Sequence, residues 1–162
     1  MILVGCSSHA GDKDAGTALA GIFPAAFRSA GYNQVRACRF PGEHSALNGF
    51  TVWADDAGAS LYMAILAGDA GGVMPAGSVV IKELYASQAC DPSGVDHWVA
   101  MKKVTGYDPD HGDWMWQELA QDGTVKTQGR EAACYRCHQG GANTTCDGYG
   151  AANGKDYLCT AP

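Results

Sequence analysis

Ser78-Val79-Val80-Ile81-Lys82-Glu83-Leu84-Tyr85 carries the strongest strand signal in the chain. β-Branched and aromatic residues dominate it, and a Gly-rich loop from Gly68 to Gly77, containing Pro75, leads into it. Side chains alternate along a strand, so Val80, Lys82 and Leu84 share one face while Val79, Ile81, Glu83 and Tyr85 share the other. Lys82 stands out because a lysine on an apolar face is partly stripped of water, which makes its amine more nucleophilic. The plainer reading is a strand lysine whose stem packs while its amine reaches solvent or a carboxylate.

Working outward, Phe50 to Ala54 reads as a second strand ending at Asp55-Asp56. Those aspartates suit the cap of a helix over about residues 57–67, with Leu61, Ala64, Ile65 and Leu66 on its apolar side. Asn33 to Phe40 is a further short strand. Before it, Thr17 to Ala30 has helical spacing, with Leu19, Ile22, Phe23, Ala26 and Phe27 on one face, a break or fresh start at Pro24 and a stop at Gly31. On the other side, His97 to Val104 forms a strand after a polar loop at Cys90 to Gly94. Trp114 to Ala120 and Thr124 to Thr127 frame a hairpin at Asp122-Gly123. Residues 1–16 read as a leader or flexible tether, and residues 17–162 as one α+β domain, mainly sheet with a few flanking helices. There is no internal repeat.

The chain's 162 residues are 46% hydrophobic, enough for a real core. Its net charge is −6 and no Lys/Arg cluster exceeds a pair, which argues against a nucleic-acid partner. No apolar run is long enough to span a bilayer.

Chemistry concentrates in Cys134-Tyr135-Arg136-Cys137-His138, a C-x-x-C-H attachment signal for a c-type haem. Thiols three positions apart on one helical turn can each bond one vinyl group at a porphyrin edge. His138 is then delivered to the ring, where its imidazole can ligate iron. Two other readings compete. One is a disulfide-only arrangement with an ordinary surface histidine. The other is zinc held by Cys134, Cys137, Cys146 and Cys159. The last methionine, Met115, precedes the motif, unlike the downstream methionine ligand of a small electron-transfer cytochrome, and four long amphipathic helices are lacking.

Seven cysteines in so short a chain point to an oxidising compartment, periplasmic or exported. Cys6, in Leu3-Val4-Gly5-Cys6, fits a lipidation signal, although only five residues precede it. A lipid anchor there is the one membrane attachment expected. Cys38, Cys90, Cys146 and Cys159 remain, an even number whose pairing stays open among three connectivities.

The layout resembles the cytochrome P-460 family and its relative, cytochrome c′-beta. The resemblance rests on Pro75 to Leu84, on Gly112-Asp113-Trp114, on the haem motif and on Lys155-Asp156-Tyr157-Leu158, in that order. It implies a mostly antiparallel sheet, usually a homodimer, a periplasmic setting, and iron with an open distal face for NO or hydroxylamine. A redox-partner cytochrome is a further expected partner.

In P-460 cytochromes the lysine matching Lys82 is bonded to a meso carbon of the porphyrin, a feature associated with hydroxylamine oxidation. A distal arginine of those members falls at Phe50 here, closer to the apolar cap of cytochrome c′-beta, unless Arg36 or Arg39 serves instead. Their pocket carboxylate maps to the strand at 97–104, which has no acid and holds Lys102 and Lys103, read as a solvent-facing pair. Glu118, on the same face as Trp114 and Trp116, is the compensating candidate; its bland alternative is a solvated edge acid. Trp98, Trp114 and Trp116 read as sheet core. His44 as a second axial ligand would close the iron and make an electron carrier, but a histidine after Pro41-Gly42 reads more simply as exposed. His9, His97 and His111 have weaker claims.

Overall fold

The computed structural model describes residues 21–40, 49–68, 71–140 and 155–159. Among these, six strands form one antiparallel sheet in chain order: β1 (Tyr32–Arg39), β2 (Phe50–Asp55), β3 (Val79–Tyr85), β4 (Val95–Lys103), β5 (Trp114–Ala120) and β6 (Val125–Gly129). Helix α1 (Asp56–Ala67) connects β2 to β3, and α2 (Ala132–His138) follows β6. The architecture is the α+β, mainly antiparallel one expected.

Asp55 explains where α1 begins. Its carboxylate accepts from the Gly58 amide at 3.1 Å, capping the first turn, and from the Val79 amide at 3.1 Å, tying the helix start to β3. Gly68 ends the helix at φ +82°, a left-handed conformation that glycine adopts without a Cβ clash.

The sheet buries both faces. Val52, Val80, Leu84, Met101 and Trp116 pack on one side with Tyr62 and Ile65 of α1 and with Tyr157 and Leu158. Val79, Ile81, Ala100 and Leu119 pack on the other with Phe23 and Phe27. The second side also takes Glu83, which is fully buried. Trp98 Nε1 donates to its carboxylate at 2.9 Å, and the Arg28 guanidinium and Tyr85 hydroxyl also donate to it. Burial, and then the bond to Glu83, push the Tyr85 hydroxyl up to about 12.

The helix expected over Thr17–Ala30 needs correction. Its first four residues lie outside those described, and the remainder holds only a single 3₁₀ turn, Phe27–Ser29. The Phe27 amide donates to the Pro24 carbonyl at 3.0 Å, so of the two readings of Pro24 the fresh start holds, though it starts a turn and not a helix. Phe23 meets Phe27 edge-on at 5.5 Å, and Phe27 meets Trp53 at 5.6 Å. The apolar spacing there supplies a cap over the second face of the sheet.

Cys38 and Cys90 form a disulfide across a separation of 52 residues. Cys159 is also disulfide-bonded, while Cys6 and Cys146 lie outside the described residues. Closing a loop of that length restricts the unfolded chain by about 4 kcal/mol on chain-entropy grounds. The Cys38→Ser/Cys90→Ser variant is therefore expected to lose about 2–4 kcal/mol in urea unfolding. An unchanged midpoint would show that the bridge adds nothing to stability.

Candidate functional site

One cross-strand row organises the site. Following the pairing from β1 to β6, Arg36 faces Val52, Val52 faces Lys82, Lys82 faces Val99, Val99 faces Glu118, and Glu118 faces Thr127. All six line one cavity of about 1030 Å³, part of which opens to solvent. Directly paired residues share a face and stand about 4.5–5.5 Å apart at Cβ, so the row alternates charged and apolar side chains along the cavity wall. The next row adds Val80, Met101 and Trp116.

Arg36 reaches this wall through a bulge. Gln34 pairs with Trp53 and Arg36 with Val52, leaving Val35 as an extra residue. Val35 and Arg36 are both buried as a result, and Arg36 lines the cavity. Arg39 is exposed and does not line it. Of the two alternatives, the fold brings Arg36 to the site. Phe50 is buried there as well, and the Lys82 ammonium lies 4.1 Å from its ring centroid, a contact worth on the order of 0.5–2 kcal/mol.

Helix α2 closes the cavity on another side. It begins as the Cys134 and Tyr135 amides both bond the Glu131 carbonyl. Its single stretch of turns presents Cys134, Cys137 and His138 to the cavity. Neither thiol is in a disulfide. Burial, reinforced by the nearby charges of Glu131 and Glu118, pushes the Cys134 thiol up to about 11, so it stays protonated at neutral pH. His138 Nδ1 lies 2.6 Å from the Tyr157 carbonyl, so Nδ1 carries the ring proton and Nε2 the lone pair. Its ring meets Trp116 edge-on at 4.8 Å.

Glu118 lines the cavity and also pairs with Lys126 at 3.2 Å, both side chains being partly exposed. Such an exposed pair contributes little energy, so the carboxylate keeps access to both cavity and solvent. Trp114 and Trp116 are core as expected, while Trp98 is half-buried on the opposite face beside Glu83.

Lys103 overturns one expectation. It is not solvent-facing but buried, with its ammonium 2.7 and 2.9 Å from the two carboxylate oxygens of Asp156 and 4.7 Å from the Trp114 ring centroid. A lysine beside a lysine looks exposed in sequence, yet alternation sends the two to opposite faces, and a carboxylate from the chain's far end is waiting for this one. Asp156 was missed altogether; its only signal was its place in the Lys155-Asp156-Tyr157-Leu158 tetrad.

His97 pairs with Asp96, and His111 pairs with Asp108 and stacks on Tyr135 at 3.7 Å; neither lines the cavity. His9 and His44 lie outside the described residues. The four-thiolate zinc alternative fails because Cys159 is committed to a disulfide.

The residues present fit a haem. The cavity is walled by side chains from all six strands and from α2. Its wall is mainly apolar, and the Trp116 indole N–H is buried with no hydrogen-bond partner among the described residues, as expected where a ligand covers it. Fold and site thus define a class: an antiparallel-sheet protein with a cavity on one face whose lining fits a haem. The family model for cytochrome P460 matches residues 52–157, and the chain belongs to that family, whose cofactor is haem with its iron. No curated protein matches the chain.

Alkylation of Cys134 in haem-free Cys137→Ser protein is expected to be slow at pH 8 and to rise steadily toward pH 11. A rate already level by pH 9 would mean that burial does not hold the thiol protonated.

Proposed function

We propose that this is an exported monohaem c-type cytochrome that oxidises hydroxylamine. Cys134 and Cys137 would hold the porphyrin as thioethers, and His138 would ligate the iron through Nε2. The haem, when bound, would supply iron redox chemistry, with a redox-partner cytochrome as the destination of the electrons. The single observation that carries the enzymatic reading is the charged row Arg36, Lys82 and Glu118 along one apolar cavity wall.

Each member of that row has a distinct task. Lys82, its stem held between Val52 and Val99, is the anchor that would bond the porphyrin rim, an amine N–H and a rim C–H giving way to one N–C bond while an external peroxide takes the two electrons and two protons. Arg36 is a buried cation able to orient a small polar nitrogen oxide. Glu118 accepts protons released as hydroxylamine loses electrons and returns them to solvent from its partly exposed position. Export is supported by the Cys38–Cys90 bridge, since such bonds persist in oxidising compartments. Lipidation at Cys6 is part of this proposal, as is the tether before the domain.

Phe50 favours a second reading. A buried aromatic ring against the cavity suits a non-catalytic NO binder with an apolar cap.

Intact mass of the denatured, matured protein is expected to include one haem, and the mass should persist in Lys82-containing fragments if the rim bond forms. Lys82→Ala is expected to abolish hydroxylamine-dependent reduction of an electron acceptor; unchanged turnover would remove Lys82 from the mechanism. Glu118→Gln is expected to lower kcat by about 10²-fold, within the range of a single general base, and to flatten the acidic limb of the pH–rate profile. An ordinary c-type spectrum, rapid NO binding and no turnover in the unsubstituted protein would decide for the binder.

A further inference from the structure

We propose that the buried Lys103–Asp156 ion pair is a positioning device that sets the electron-donating strength of His138 toward the haem iron; this rests on the haem reading above. The chain of contacts is short. Lys103 Nζ holds both Asp156 carboxylate oxygens, and the Met74 amide donates to one of them at 2.6 Å. The Trp114 indole N–H donates to the Asp156 carbonyl at 3.0 Å. Asp156 is thereby gripped at side chain and backbone alike, from β4, from β5 and from the segment before β3.

What is being held is an unfavourable turn. Asp156 and Tyr157 are consecutive non-glycine residues in the left-handed region, at φ +46° and +64°, a conformation that persists only where the surroundings impose it. Gly112 leaves room for the turn, since a Cβ there would lie 3.0 Å from the Tyr157 ring. That turn aims the Tyr157 carbonyl at His138 Nδ1, 2.6 Å away.

A carbonyl accepting the Nδ1 proton fixes the tautomer and raises the basicity of the opposite nitrogen. A stronger donor favours ferric over ferrous iron. Lys103 and Asp156 do not line the cavity, so their influence passes through the turn and the imidazole.

The test compares matured holoprotein of three variants with the unsubstituted protein. Lys103→Met should move the ferrous iron–histidine stretching band to lower frequency by resonance Raman. It should also raise the midpoint potential, by roughly 59 mV for a tenfold loss of ferric preference in a one-electron couple. Lys103→Met/Asp156→Asn, which removes both charges of the pair together, should shift both in the same direction. Asp55→Ala, remote from His138, should lower the melting temperature and leave band and potential unmoved.

A matured Lys103 variant with the unsubstituted protein's band and potential would overturn the proposal. So would failure of both Lys103 variants to mature while Asp55→Ala matures, because the pair would then be a folding requirement. A colourless unsubstituted protein would instead defeat the haem reading itself.

Discussion

Strand β3 is buried on both faces, and that constraint shapes the molecule. Lys82 and Glu83 are neighbours in sequence, so the pleat sends them to opposite sides of the sheet. Neither side is a freely solvated surface. Glu83 is accommodated by a permanent polar cage of Arg28, Tyr85 and Trp98, with Phe23 and Phe27 covering the same side. Lys82 is accommodated differently, in a cavity with an aromatic ring beside its ammonium. One face of the sheet is thus a finished core, and the other is built around space for something else.

The C-terminal segment completes that second face. Leu158 joins its apolar cluster, the Tyr157 carbonyl meets His138, and the Asp156 carboxylate neutralises Lys103. Removing one partner of such a buried pair typically costs about 3–5 kcal/mol, because the other is left uncompensated. The same few residues therefore carry both stability and the geometry of the imidazole. A site assembled in this way cannot be divided cleanly into scaffold and chemistry.

Much of the fold was legible in the primary structure. Trp114–Ala120 was read with the bounds it has, and the other strands and α1 came within a few residues, because alternation and capping are local properties. The failures share a cause. Helical spacing before Gly31 reflected Phe23 and Phe27 packing on a sheet, and apolar periodicity does not say which partner it serves. Lys103 looked solvated because nothing local announces a carboxylate 53 residues away. Arg36 was one of two candidates, and a bulge in β1 separated them.

Local chemistry alone thus determined the two thiols and imidazole within one helical turn, the strand that carries Lys82, and the face on which Lys82 lies. Those features depend on residue spacing and on periods of two and 3.6, which any stretch of chain displays by itself. Tertiary structure alone decided that Arg36, Lys82 and Glu118 fall in a single row, and that Asp156 and Tyr157 stand behind His138. Such outcomes depend on strand register, on one bulged residue and on contacts between distant segments, which exist only once the sheet has closed around its core.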